Sequence, residues 1–309
     1  MTRVFTFPGQ GSQAVGMGKA LADASAAARE VFAEVDDALG QPLSQVIWEG
    51  PADALTLTAN AQPALMAVSL AAIAAMKEAG VTVANSAAFV AGHSLGEYSA
   101  LAAAGSLSVA DAARLLRIRG DAMQHAVPVG AGAMAAILGL ELAQVEGLAV
   151  EASQAGVCDV ANDNGPGQVV VSGSKAAVEK AAELAKALGA RRALMLPVSA
   201  PFHCSLMQPA ADRMAEALAQ VTLNAPSVPL IANVLAAPIS DPDEIRGHLV
   251  AQVTGRVRWR ESVLWMADNG VDAAFEIGAG KVLTGLAKRI APGIAASSIS
   301  TPDDIQTLN

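Results

Sequence analysis

An α/β fold, with a small subdomain set into a larger one built on a parallel sheet, is predicted by three observations. Short apolar runs such as Val4-Phe5-Thr6-Phe7 and Ala87-Ala88-Phe89-Val90 alternate with longer Ala- and Leu-rich segments of helical period. Between Gly132 and Pro197 the order changes to β-α-β-β-α-β within about 65 residues, the ferredoxin-like arrangement. A serine stands between two glycines, Gly92-x-Ser94-x-Gly96, where one of the apolar runs gives way to a helix. The 309 residues suffice for one large domain or two unequal ones. The expected division is 1–127 with 198–309 as the large domain and 128–197 as the insert.

Composition narrows the function classes. Hydrophobic residues make up 53% of the chain and aromatic ones 3%, so the core is expected to be Ala, Val and Leu. A net charge of −9 argues against nucleic acid and anionic membrane as partners, and admits an acidic protein partner only beside a local basic patch. The start Met1-Thr2-Arg3-Val4 lacks a charged region followed by an apolar run, so no signal peptide is expected. The longest apolar stretch, Ala64 to Met76, is interrupted by Ser69 and is too short for a bilayer, which makes the cytoplasm the expected location. Cys158 and Cys204 form neither a disulfide framework nor a metal-ligand pair, and no metal is expected.

In chain order, Val4 to Phe7 reads as a strand, followed by the polar loop Pro8-Gly9-Gln10-Gly11-Ser12-Gln13. That loop is either a plain surface turn or a nest of backbone amides for an anion or carbonyl. Ala14 stands where a dinucleotide fingerprint needs its third glycine. Leu21 to Leu39 reads as one amphipathic helix, and Ala61 to Lys77 as an apolar helix with Pro63 in its first turn. At the Ser94 turn the small flanking residues lift the hydroxyl clear of the sheet, and the amide of Leu95 points toward an oxyanion forming beside it. Ser108 to Gln124 is a helix on which Arg114 and Arg117 read as a solvated face. Arg119, the third arginine of the helix, carries the same planar guanidinium, a group with two parallel donors that lysine cannot copy.

In the insert, Met134–Leu138, Val157–Ala161, Gln168–Ser172 and Arg192–Leu196 read as strands, and Glu141–Gln154 and Ser174–Leu188 as helices. Asn162 to Gly167 has turn composition. His203 then precedes a helix from Leu206 to Gln220, while Cys204 reads as a buried, inert thiol. His93, next to Ser94, is a weaker base candidate because neighbours along a sharp turn point apart. Pro229 to Val234 and Ala273 to Gly278 read as strands, and Lys281 to Ile290 as a helix. Gly280-Lys281 has the ending of a P-loop, but Phe275 stands where its first glycine would be.

Gly92-His93-Ser94-Leu95-Gly96-Glu97-Tyr98 resembles the active-site string of malonyl-CoA:acyl-carrier-protein transacylases and of the acyltransferase domains of fatty-acid and polyketide synthases. The resemblance extends over Phe7 to Gln13, Arg119 to Gln124 and Glu276 to Leu286, and in all from residue 4 to about 290. It implies a hydrolase-like large domain. It further implies Ser94 as nucleophile, His203 as its base, and the amides of Gln10 and Leu95 as the oxyanion hole. Arg119 would hold the malonyl carboxylate, and the backbone carbonyl of Gln252 would orient His203 in place of a triad carboxylate. Gln62, Asn162 and Phe202 would line the pocket, Phe202 crowding an α-methyl branch. Pro201 departs from the family's usual Ala, which weakens the specificity argument.

The implied activity is transfer of malonyl from malonyl-CoA to the phosphopantetheine thiol of acyl carrier protein, through a malonyl-serine ester, in fatty-acid synthesis. No cofactor is implied, since malonyl-CoA is a substrate, and a monomer is expected. A trans-acting polyketide acyltransferase shares this chemistry, whereas a serine thioesterase or hydrolase would not need Arg119. A silent carrier-docking module is the remaining alternative. Arg191, Arg192, Lys281, Lys288 and Arg289 are candidates for meeting an acidic carrier.

Overall fold

The computed structural model describes residues 1–198 and 200–308, so Ser199 and Asn309 lie outside the described residues. Its ten strands are β1 (Arg3–Phe7), β2 (Phe89–Gly92), β3 (Gly132–Leu138), β4 (Cys158–Gly165), β5 (Gln168–Ser174), β6 (Arg192–Met195), β7 (Leu230–Ala232), β8 (Ala237–Ile239), β9 (Ala273–Ile277) and β10 (Ala295–Ile299). Six of them form one sheet in the order β10-β9-β1-β2-β7-β8, parallel throughout except for the β7–β8 pair. β1 lies near the middle, with Val4, Phe5 and Phe7 buried, as the unbroken apolar run demands. Phe7 is in register with Gly92, so the loops leaving β1 and β2 emerge side by side at the carboxyl edge of the sheet. Open α/β sheets bind ligands at that edge.

The helices differ from the sequence reading where side chains outrank period. Ser25 splits the expected Leu21–Leu39 helix into Lys19–Ala24 and Ala26–Leu39, because its hydroxyl accepts from the amide of Ala28 at 3.0 Å and caps the second segment. The central helix is Thr58–Glu78, so Pro63 lies inside it rather than in its first turn. Its early turns are tied by Asn60, which donates to Ala54 O and accepts from Arg117 at 2.7 Å. Arg117 is therefore half-buried against Asn60 instead of part of a solvated face. This helix is long and apolar enough to cross a membrane, yet most of it is buried between Ala26–Leu39 and Val109–His125.

The remaining four strands form a second, antiparallel sheet in the order β4-β5-β3-β6, covered by helices Leu142–Ala152 and Lys175–Ala187. That order is the ferredoxin-like one. It has its own core, including Ile137, Val145, Leu148, Val171 and Val178. β4 runs on to Gly165 with two register shifts, so Asn162 to Gly165 is bulged strand rather than the turn its composition suggests. The bulge turns backbone groups outward. Asp163 N donates to Val257 O at 3.0 Å, Val257 N donates to Ala161 O at 2.8 Å, and Arg260 reaches the buried Asp163 carboxylate at 2.8 Å. These bonds tie β4 of the second sheet to the start of helix Trp259–Asp268 in the large domain.

The segment after β9 explains its glycines without a nucleotide. Glu276 accepts from the amides of Leu283 and Thr284, at 3.1 and 2.7 Å, at the start of helix Val282–Ile290. A carboxylate thus occupies the place where a phosphate would sit.

Candidate active site

The serine turn is built by exclusion of side chains. A Cβ on Gly92 would lie 1.9 Å from the carbonyl carbon of Gly96, and one on Gly96 would lie 2.3 Å from Phe7 O. Only glycine permits the chain to fold back this closely. Ser94 itself is held at φ 55°, a left-handed conformation that costs a non-glycine residue on the order of 1–2 kcal/mol. Asn233, directly after β7, fastens the turn: its Oδ1 accepts from Ser94 N at 2.8 Å and its Nδ2 donates to Gly92 O at 2.6 Å. With the Ser94 amide spent in this way, the neighbouring amides of Gln10 and Leu95 have no hydrogen-bond partner among the described residues.

His203 also has a left-handed backbone, φ 57°, and precedes helix Gln208–Leu218. Its Nδ1 lies 2.9 Å from Gln252 O and its Nε2 lies 2.7 Å from Ser94 Oγ. A carbonyl only accepts, so Nδ1 carries the proton and Nε2 offers its lone pair to the serine hydroxyl. Burial, and then the Arg119 guanidinium, push His203 down to about 3 from the ordinary imidazole value of 6.5. The ring therefore stays neutral, and able to take a proton, as the solution is acidified past 6.5. Acylation of Ser94 by a neutral ester such as p-nitrophenyl acetate should accordingly show its acid limb well below pH 6.5. A limb at or above that value would overturn the assignment of a buried neutral base.

Arg119 is 1% exposed, on helix Val109–His125. Its Nη1 donates to Gln62 Oε1 at 2.8 Å, and its Nη2 donates to Gln252 Oε1 at 2.7 Å and to Ser94 Oγ at 3.1 Å. Burial works against its charge, and the nearby Tyr98 and Glu97 support it. Gln62 and Asn162 are buried, as is Phe202 at 8% exposure; all three line, with Gln10, Leu95, Ser94, Arg119 and His203, a cleft of about 370 Å³. Met123, Met134, Val170 and Leu196 form its apolar wall. Gln252 reaches this group from behind, through both its carbonyl and its side chain.

Other candidates are engaged elsewhere. His93 Nε2 lies 2.8 Å from Asn164 Oδ1, and its ring is 5.7 Å from that of Trp259. Cys204 donates to Pro201 O at 3.0 Å, and burial pushes its thiol up to about 11. Arg191, Arg192, Lys281, Lys288 and Arg289 are all exposed. Among the described residues no group of three His, Cys, Asp or Glu side chains stands where it could hold a metal ion.

Glu97, Asn233 and the Gln252 side chain were not singled out from the sequence. Glu97 is 2% exposed; it accepts from Asn233 N at 2.5 Å and from Gln252 Nε2. Burial pushes its carboxyl up to about 8 against the pull of those donors and of Arg119. Glu97 lies within a string that carries the family resemblance, and Asn233 within its overall span, but no spacing rule links positions 97, 233 and 252.

A serine on a strained strand-to-helix turn, facing a neutral imidazole in a cleft that Gln10 and Leu95 also line, fits an α/β enzyme of acyl transfer. The comparisons with known proteins agree. The family described as the acyl transferase domain matches residues 4–291, and the chain belongs to that family. The malonyl CoA-acyl carrier protein transacylase of Escherichia coli (strain K12) is 48% identical over 298 residues, covering 96% of each chain. The crystal structure of acyl-carrier-protein-S-malonyltransferase from Bartonella henselae superimposes with a TM-score of 0.98 at 60% identity, over 99% of this chain and 98% of that one. A malonyl-transacylase in complex with its type II polyketide synthase acyl-carrier protein superimposes with a TM-score of 0.96 at 42% identity, over 100% and 99%.

Proposed function

We propose that this acyltransferase moves malonyl from malonyl-CoA to the phosphopantetheine thiol of an acyl carrier protein, supplying fatty-acid synthesis. The observation that carries the reading is the meeting of three side chains at one atom: Ser94 Oγ lies 2.7 Å from His203 Nε2 and 3.1 Å from Arg119 Nη2. The names of the relatives support the choice of acyl group and carrier. In this reading residues 128–197 form one wall of the cleft, the enzyme works as a monomer in the cytoplasm, and no cofactor takes part.

His203 takes the Ser94 proton as Oγ bonds to the thioester carbon, and the oxyanion rests on the amides of Gln10 and Leu95, each worth about 3 kcal/mol. The C–S bond then breaks, the proton passes from His203 to the departing thiolate, and malonyl is left as an ester on Ser94. The carrier thiol repeats these steps in reverse, giving ping-pong kinetics. Arg119 holds the free carboxylate throughout. Nη2 releases its bond to Oγ as that atom becomes an ester, and turns its freed N–H to the substrate. The carboxylate also offsets the positive charge that depresses His203, so the base strengthens when the correct acyl group is bound.

Incubation with malonyl-, methylmalonyl- and acetyl-CoA plus carrier protein, followed by weighing both proteins, tests this directly. Malonyl on the enzyme and then on the carrier is expected. Release of free malonate with an unmodified carrier would make the chain a hydrolase instead. The complex with a polyketide carrier favours a second reading, service to a polyketide synthase by the same chemistry, which transfer to that class of carrier in preference would establish. The exposed cations at Arg191, Arg192, Lys281, Lys288 and Arg289 fit an acidic carrier, and salt should then slow the carrier step more than the CoA step.

A further inference from the structure

Neither Glu97 nor the Gln252 side chain lines the cleft, yet together they decide how Arg119 is held. Gln252 Nε2 has two hydrogens, one donated to Ser94 O at 2.8 Å and the other to the Glu97 carboxylate. Its Oε1 is thereby turned to Arg119 Nη2, 2.7 Å away. A glutamine amide is nearly symmetric in shape but not in polarity. The guanidinium can only donate, and both Glu97 oxygens face N–H donors, an arrangement that only the ionised carboxylate satisfies although burial works against its charge, so one orientation of the amide satisfies both. Asn233 N, 2.5 Å from the other Glu97 oxygen, fixes the carboxylate in turn.

We infer that Glu97 is a positioning residue: acting through the Gln252 amide, it aims Arg119 at Ser94 and so sets the preference of the serine for acyl groups bearing a free carboxylate. This rests on the reading of Arg119 under Proposed function. The amide introduced by Glu97→Gln either meets the Gln252 amide with a donor or leaves Asn233 N without an acceptor. If Gln252 then flips, its NH₂ meets the guanidinium, donor against donor. The disturbance falls on Arg119, because Asn233 still braces the serine turn through its own side chain.

The test is formation of the acyl-enzyme from malonyl-CoA and from acetyl-CoA, followed by intact mass without carrier. In Glu97→Gln the ratio of malonyl to acetyl rates is expected to fall roughly ten- to hundredfold, the effect of misplacing a charged hydrogen-bond partner. The exchange Glu97→Gln with Gln252→Glu puts a donor and an acceptor back between the two positions and an acceptor before Arg119, while giving up the Gln252 donor to Ser94 O, a loss that bears on both acyl groups alike. It is expected to recover at least about tenfold of that ratio. Should Glu97→Gln not fold, Glu97→Asp, which keeps the charge but withdraws it by one methylene, must lower the same ratio. Malonyl and acetyl rates falling together, or an exchange variant no more selective than Glu97→Gln, would overturn the inference and leave the proposed function standing. A native enzyme indifferent to the carboxylate would overturn both.

Discussion

Ser94→Ala is expected to lower transfer by roughly 10⁶-fold, the scale seen when the nucleophile of a serine enzyme is removed. Mass spectrometry after exposure to malonyl-CoA should show no covalent adduct. No neighbouring group can substitute for the lost hydroxyl. Cys204 is buried, bonded to Pro201 O and pushed up to about 11, and His93 is held by Asn164. The variant should fold, since the turn is fastened by the Asn233 side chain and by Gly92 and Gly96, and alanine tolerates φ 55° no worse than serine does. It should still bind malonyl-CoA, because Arg119 keeps its Gln62 and Gln252 anchors and the apolar wall is untouched. A malonyl adduct on this variant would move the nucleophile elsewhere.

Arg119→Ala is expected to lower kcat/KM for malonyl-CoA by roughly 10²–10³-fold, the equivalent of losing about 3–4 kcal/mol of charge-assisted hydrogen bonding. Acetyl transfer should fall far less, so that the preference shifts toward uncharged acyl groups. The acetyl rate is the internal control. The variant leaves the Gln62 and Gln252 acceptors without their donor, at about 1–3 kcal/mol each in stability. That loss bears on both substrates alike. Removing the guanidinium also lifts one of the two main influences that depress His203, which favours the acetyl reaction further. An undiminished malonyl preference would refute the carboxylate role.

Much of this site was legible because it is written in short strings whose local backbone demands the residues present. Gly92-x-Ser94-x-Gly96 can be read without a structure, since the close approach that excludes a Cβ at Gly92 arises within five residues, although the one at Gly96 comes from Phe7 on β1. The ferredoxin-like order was readable for a similar reason: period and turn composition are local. Boundaries failed where a single side chain competed with period. Ser25 broke a helix by capping its second half, and register shifts at Ala161 and Asn164 carried a turn-like string into a strand.

The amino-acid order alone thus determined the fold class, the candidate serine, and the residue types able to serve it, because strand and helix period and the steric needs of a tight turn act over a few neighbours. Tertiary structure decided everything that depends on distance through space. It brought His203 across 109 positions to Ser94, buried a cation against the nucleophile, and set Glu97, Asn233 and Gln252 around it in one polarity of hydrogen bonds. Hydrogen-bond direction and desolvation are properties of assembled neighbours, and those neighbours come from five separate stretches of the chain.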